Sequence, residues 1–142
     1  MAYWLMKTEP DVFSWADLCQ KGVACWDGVR SYAARNHLRA MAAGDLVLVY
    51  HSNLDKAAVG IAKVVRAHYQ DPTTEDDKWS AVDVAPVAPL QVPVTLVAIK
   101  ADVAAGGPLQ HIRMIKENRL SVSPVTADEW RHVLALAQTV LP

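Results

Sequence analysis

"DLVLVYHSNLDKAAVGIAKVVRAHY" runs from Asp45 to Tyr69, and its reading decides the fold. "DLVLVYHS" (Asp45–Ser52) reads as a strand and "AAVGIAKVVRAHY" (Ala57–Tyr69) as a second. The four residues between them, "NLDK", are of turn type. So short a link joins antiparallel strands. Gly60, inside the second strand, marks a bulge or a close approach of another group to the backbone. After the polar loop "QDPTTEDDK" (Gln70–Lys78), expected to be the most mobile part, "WSAVDVAPV" (Trp79–Val87) reads as a third long strand. Its Pro86 and Pro89 imply an edge or a strand end. Three strands in a row without a helix between them do not make a doubly wound parallel sheet. They predict an α/β fold of the α+β kind: a curved, mostly antiparallel sheet or small barrel flanked by short helices.

The flanking elements follow from caps and spacing. "YWLMK" (Tyr3–Lys7) is a buried strand. Ser14, with Asp17 three residues on, starts a helix that stops at Gly22. Ala34, Leu38 and Met41 at helical spacing predict a helix over Tyr32–Met41. Arg35 and Arg39 share one face of it. "TLVAIKAD" and "LQHIRMIK" are short helical pieces, and "RLSVSPV" is extended. Thr126 and Glu129 make a capping box for a C-terminal helix carrying Trp130, Val133, Leu134 and Ala137 on one side.

The 142 residues suit one domain over 1–142, with 52% hydrophobic and 20% charged residues, as a globular chain requires. No apolar run is long enough for a membrane helix. "MAYWLMKTEP" lacks the basic and apolar regions of a signal peptide, so the expected place is cytoplasmic, or nuclear in a eukaryote. A net charge of −1 excludes a protein that coats nucleic acid by bulk charge, but not one that holds a single nucleotide. The charge is uneven. Lys21, Arg30, Arg35 and Arg39 outnumber the one acid of their segment, Asp27, whereas Asp71, Glu75, Asp76 and Asp77 cluster without a base. Cys19 and Cys25 are spaced like no common zinc site and read as reduced thiols. No dinucleotide, Walker, nucleophile-elbow or zinc-protease motif is present, so no cofactor or metal is expected.

Two stretches suggest a ligand. "CWDGVRSY" (Cys25–Tyr32) places aromatics around a glycine turn with Arg30 between them. "YHSN" (Tyr50–Asn53) ends an apolar strand in four hydrogen-bonding groups. Each alone fits a fold corner or a capped turn. Together they supply what a base pocket needs: faces to stack on and fixed polar groups to read an edge. Trp4, Trp15 and Trp130 sit in apolar patterns and read as core. Trp26 and Trp79 adjoin loops and are the pocket candidates.

"YWLMKTEPDVFSWADL", "WDGVRSYAARNHLRAM", "GDLVLVYHSN", "VGIAKVVR" and "RLSVSPVTADEW" resemble, in order and over nearly the whole chain, the EVE domain family. That resemblance implies a PUA-like curved barrel with kinship to YTH domains. It implies a non-enzymatic reader of a modified base: methylated or hydroxymethylated cytosine in DNA, or methylated adenine in RNA. Carried over by motif, Trp26 is a wall of the aromatic pocket, Trp79 a second wall, and His51, Ser52 and Asn53 lie near the base edge. Tyr32, Arg30 and Arg119 stand at the rim, and Arg30, Arg35 and Arg39 face phosphates. Ser31 and Ala33 depart from the family's usual "NYQARN", which bears on affinity or choice of base. No membrane and no obligate protein partner is implied. Two other readings stay open: an enzyme on a nucleotide or small aromatic metabolite with His51 as acid or base, and a protein-binding module.

Overall fold

A computed structural model describes residues 1–141. The chain runs β1 (Tyr3–Thr8), α1 (Trp15–Lys21), β2 (Ala24–Trp26), α2 (Tyr32–Ala40), β3 (Leu46–His51), β4 (Ala57–Gln70) and β5 (Ser80–Thr95). It continues with α3 (Leu96–Ala104), α4 (Arg113–Lys116), β6 (Val122–Val125) and α5 (Ala127–Leu136). The strands form one sheet in the order β2-β5-β4-β3-β1-β6. The meander β3-β4-β5 is antiparallel, as the opening stretch predicts. One pair breaks the pattern: β1 lies parallel to β3, Tyr3 opposite Leu46 through Thr8 opposite His51. A parallel pair needs a long crossover, and α1, β2 and α2 supply it.

Both faces of the sheet are covered. On one, Trp4 and Met6 of β1 and Val47 and Val49 of β3 pack with Leu18 of α1 and Leu38 of α2. On the other, Leu5, Leu48 and Ile61 pack with Ile99 of α3, Met114 of α4 and Trp130 of α5. This two-sided burial is why "LVLVY" is apolar throughout rather than alternating. Each buried Leu or Val adds about 1.5–3 kcal/mol of transfer free energy. No helix among the described residues is long and apolar enough to cross a membrane.

Local signals hold where they are self-contained. Ser14 with Asp17 and Thr126 with Glu129 form complete capping boxes. Gly60 meets both expectations set for it. The β3–β4 register slips beside it, and the Trp15 indole lies so close that a Cβ would stand 2.5 Å from the ring. The prolines differ in part. β5 does not end at them but runs on to Thr95. Beyond Val84, however, β2 no longer pairs with it, so β5 is itself the edge where Pro86 and Pro89 fall. An edge tolerates a missing N–H.

Candidate functional site

A cleft of about 680 Å³ opens between the end of β1, the loop after it, and the β2–α2 connection. Trp26 closes β2 and pairs with Val82, so a strand rather than a loop holds its ring. Only 9% of it is exposed. Phe13 packs edge-on against it, centroids 6.1 Å apart at 87°. The Thr8 hydroxyl donates to the Phe13 carbonyl at 2.6 Å and fixes the loop that brings Phe13 there. Around these aromatics stand Lys7, Glu9, Asp27, Arg30 and Ser31. Ser31 also caps α2. Among the described residues, the carboxylates of Glu9 and Asp27 accept no hydrogen bond.

The β2–α2 connection is shaped from across the chain. Gly28 takes φ +76°, a left-handed conformation that favours glycine. Asp71, fully buried, accepts from Gly28 N–H at 2.8 Å, Arg30 Nη1 at 2.9 Å, and Thr73 N–H at 2.7 Å. It also accepts from the Thr73 hydroxyl at 2.5 Å. The polar loop expected to be most mobile is therefore anchored at its second residue. Arg39 donates to Ser80 Oγ and the Lys78 carbonyl, and Arg35 to the Lys78 carbonyl, anchoring its other end.

The expected residues do not converge on one pocket. Trp26 and Arg30 line the cleft. Tyr32 and Trp79 stack on each other instead, 5.2 Å apart at 30°. Arg30 lies over Trp79 and Arg35 over Tyr32, so two guanidiniums bracket two rings. This stack braces the anchored loop against α2 rather than walling the cleft. Arg35 and Arg39 are occupied with that loop. Arg119 is exposed and makes no side-chain hydrogen bond among the described residues.

The "YHSN" block turns elsewhere. His51 is buried, its Nε2 accepting from Trp15 N–H at 2.9 Å and its Nδ1 lying 2.6 Å from Asp55. The backbone donor leaves the ring proton on Nδ1, which donates to Asp55. Neither nitrogen is free to read a base edge or to move a proton. Ser52 and Asn53 line a second cleft of about 380 Å³ that meets the first only at Lys7. Lys7, Thr8, Glu9 and Phe13 were not among the expected site residues, although all four lie in "YWLMKTEPDVFSWADL", the first stretch of the resemblance.

Burial is the largest single influence on Asp71 and works to raise its pKa. The Thr73 hydroxyl, the Arg30 guanidinium and the N–H groups of Thr73 and Gly28 outweigh it and hold the carboxyl at about 2. An unfolded Asp titrates near ~3.9. Asp71 thus contributes fully above about pH 4, and that contribution, roughly 2–3 kcal/mol, is lost as pH falls toward 2. Urea unfolding at about pH 5 and about pH 2.5 should show the drop. Asp71→Asn should lose less between those two conditions than the parent, and an equal loss would assign the drop to other carboxyls.

The EVE domain model matches residues 2–136. Mouse thymocyte nuclear protein 1 is 40% identical over 96% of this chain and 74% of its own length. A protein of Agrobacterium tumefaciens superposes with a TM-score of 0.92 at 39% identity, covering 100% of this chain and 97% of that one. The human THYN1 protein, in a crystal structure in complex with 5-methylcytosine-containing DNA, superposes with a TM-score of 0.89 at 36% identity over 99% of each chain. On the match across residues 2–136 and these identities, the chain belongs to the EVE domain family.

Proposed function

We propose that this protein is a non-enzymatic nucleic-acid-binding module that receives one flipped, modified base in the first cleft. The observation that carries the reading is that cleft: a strand-held indole, an edge-on phenyl and two unpartnered carboxylates around about 680 Å³. A base stacked on Trp26 gains roughly 1–3 kcal/mol. A carboxylate accepts from the exocyclic amino group of cytosine, so Asp27 or Glu9 favours an amino-bearing base. The human relative's complex with 5-methylcytosine-containing DNA supports methylated cytosine in DNA as the first candidate. A place of action where nucleic acid is found, cytoplasm or nucleus, goes with this reading. The alternative with His51 as acid or base has no support, because both its ring nitrogens are engaged.

Extruding a base costs a few kcal/mol, least from a single strand or a mismatch. The methyl group itself adds about 0.8 kcal/mol of burial, or roughly fourfold in affinity. The test is anisotropy at one fixed salt concentration. Oligonucleotides carry a single cytosine, 5-methylcytosine, 5-hydroxymethylcytosine or N6-methyladenine, as single and double strands of DNA and RNA. The expected result is 5-methylcytosine DNA binding about fourfold or more above plain cytosine. Equal affinity for every plain and modified strand would overturn the reading.

A further inference from the structure

The second cleft is built differently from the first. Lys7 at the end of β1, Lys56 before β4 and Lys100 on α3 all line it, and no carboxylate does. In a chain of net charge −1, three ammonium groups around one cavity of about 380 Å³ stand against the average. The acid next to Lys56 is diverted: Asp55 is paired with His51. Lys56 and Lys100 make no ion pair among the described residues. Lys7 donates to the Asn118 carbonyl and keeps two further N–H donors.

Independent of the charges, Tyr50 lines the same cavity. Only 4% of the residue is exposed, and its hydroxyl makes no hydrogen bond among the described residues but keeps contact with solvent, so it is open to a ligand in the cavity. The Asn53 amide is also without a partner there, and the Ser52 hydroxyl keeps lone pairs free beyond its 3.3 Å bond to the Thr8 carbonyl. Leu96 and Met114 give the cavity an apolar wall. The volume lies at the lower end of small-ligand sites, roughly 300–1,000 Å³.

From these features we infer that the second cleft is a binding site for a phosphate ester, its phosphate held by Lys7, Lys56 and Lys100 and its organic part lying on the apolar wall. Lysine serves phosphate as a point charge and needs no fixed fork geometry. Three cations suit a phosphate better than a single carboxylate, and the neutral donors of Tyr50 and Asn53 complete its oxygens. The ester belongs either to a free nucleotide or to a nucleic-acid strand. Because Lys7 borders both clefts, a strand entering the first cleft passes its neighbouring phosphate to the second. A phosphate here does not require a base in the first cleft.

The test follows backbone amides of the full chain by nitrogen–proton NMR. The probes are 2′-deoxycytidine 5′-monophosphate and an unmodified single-stranded oligonucleotide. The proteins are the parent and the double variant Lys56→Gln/Lys100→Gln, whose changes are on exposed positions. The expected result is that at least one probe shifts the amides of Ser52–Lys56 and Lys100 in the parent and tenfold more weakly in the variant. A response to the monophosphate identifies the free ester as the source. A response to the strand alone identifies nucleic acid, and the salt slope of strand binding should then fall by about 1.4 in the variant. Silence at those amides with both probes, or unchanged shifts in the variant, would overturn the site. Failure of modified-base discrimination at the first cleft leaves this outcome untouched.

Discussion

Asp71→Ala should lower the melting temperature by roughly 10 °C, the largest stability loss expected from any polar side chain around the candidate site. The carboxylate is fully buried and accepts four hydrogen bonds, two from the β2–α2 connection and two from its own turn. Removing it leaves the N–H groups of Gly28 and Thr73 without acceptors. It also leaves the Arg30 guanidinium without its carboxylate. Breaking a buried pair by deleting one member costs about 3–5 kcal/mol. The Arg30 side chain is 41% exposed and regains water, so the lower figure applies. Thermal unfolding followed by circular dichroism measures the loss. Glu75→Ala, on an exposed acid of the same loop, should leave the melting temperature within a degree or two. If both variants melt together, the clamp contributes nothing. Asp71→Ala should also weaken oligonucleotide binding at temperatures where it is folded, because Gly28 and Arg30 line the first cleft.

The second large effect falls on binding. Trp26→Leu is expected to reduce affinity for a 5-methylcytosine oligonucleotide by about 1–3 kcal/mol, from roughly fivefold to more than a hundredfold. Leucine keeps apolar volume at a position that belongs to the core but offers no ring face. Trp26→Phe retains a face and should lose less. Trp26→Ala is the poorer test, since emptying a buried tryptophan site costs about 3–5 kcal/mol of stability and confounds the readout. Anisotropy titrations alongside circular dichroism separate the two losses. Should the leucine variant bind as tightly as the parent, stacking on Trp26 is not what holds the base.

How far the sequence could be read depended on how far apart the partners lie. Caps such as Ser14 with Asp17 span three residues and were legible. So was the β3–β4 hairpin, whose turn and apolar runs adjoin. The parallel β1–β3 pair was not, because no local pattern records a neighbour reached through a crossover. Asp71 reaches Gly28 across 43 residues. In a loop with four acids, charge counting does not say which one turns inward. One sign was available: Asp71-Pro72-Thr73 has the makings of a turn in which the aspartate accepts from the residue two places on. Trp26 and Arg30 were legible as cleft residues from their glycine turn. Trp79 looked like a wall and Tyr32 like a rim residue because a ring beside a loop reads the same whether it meets a ligand or another ring. His51 looked available because nothing in "YHSN" announces that Trp15 and Asp55 occupy both its nitrogens.

The placement of β1 sets an order of events at synthesis. It sits between β3 and β6, with Tyr3 opposite Val125. At about 5–20 residues per second, some 6–23 seconds separate the making of Thr8 from that of Val122. For that interval one rim of β1 has no strand beside it, and the sheet is open where nascent chains meet one another. Folding that must wait for so distant a partner is slow for its size. A ribosome that pauses late in this message therefore holds out an unpaired strand, and crowding by other nascent copies is most dangerous then.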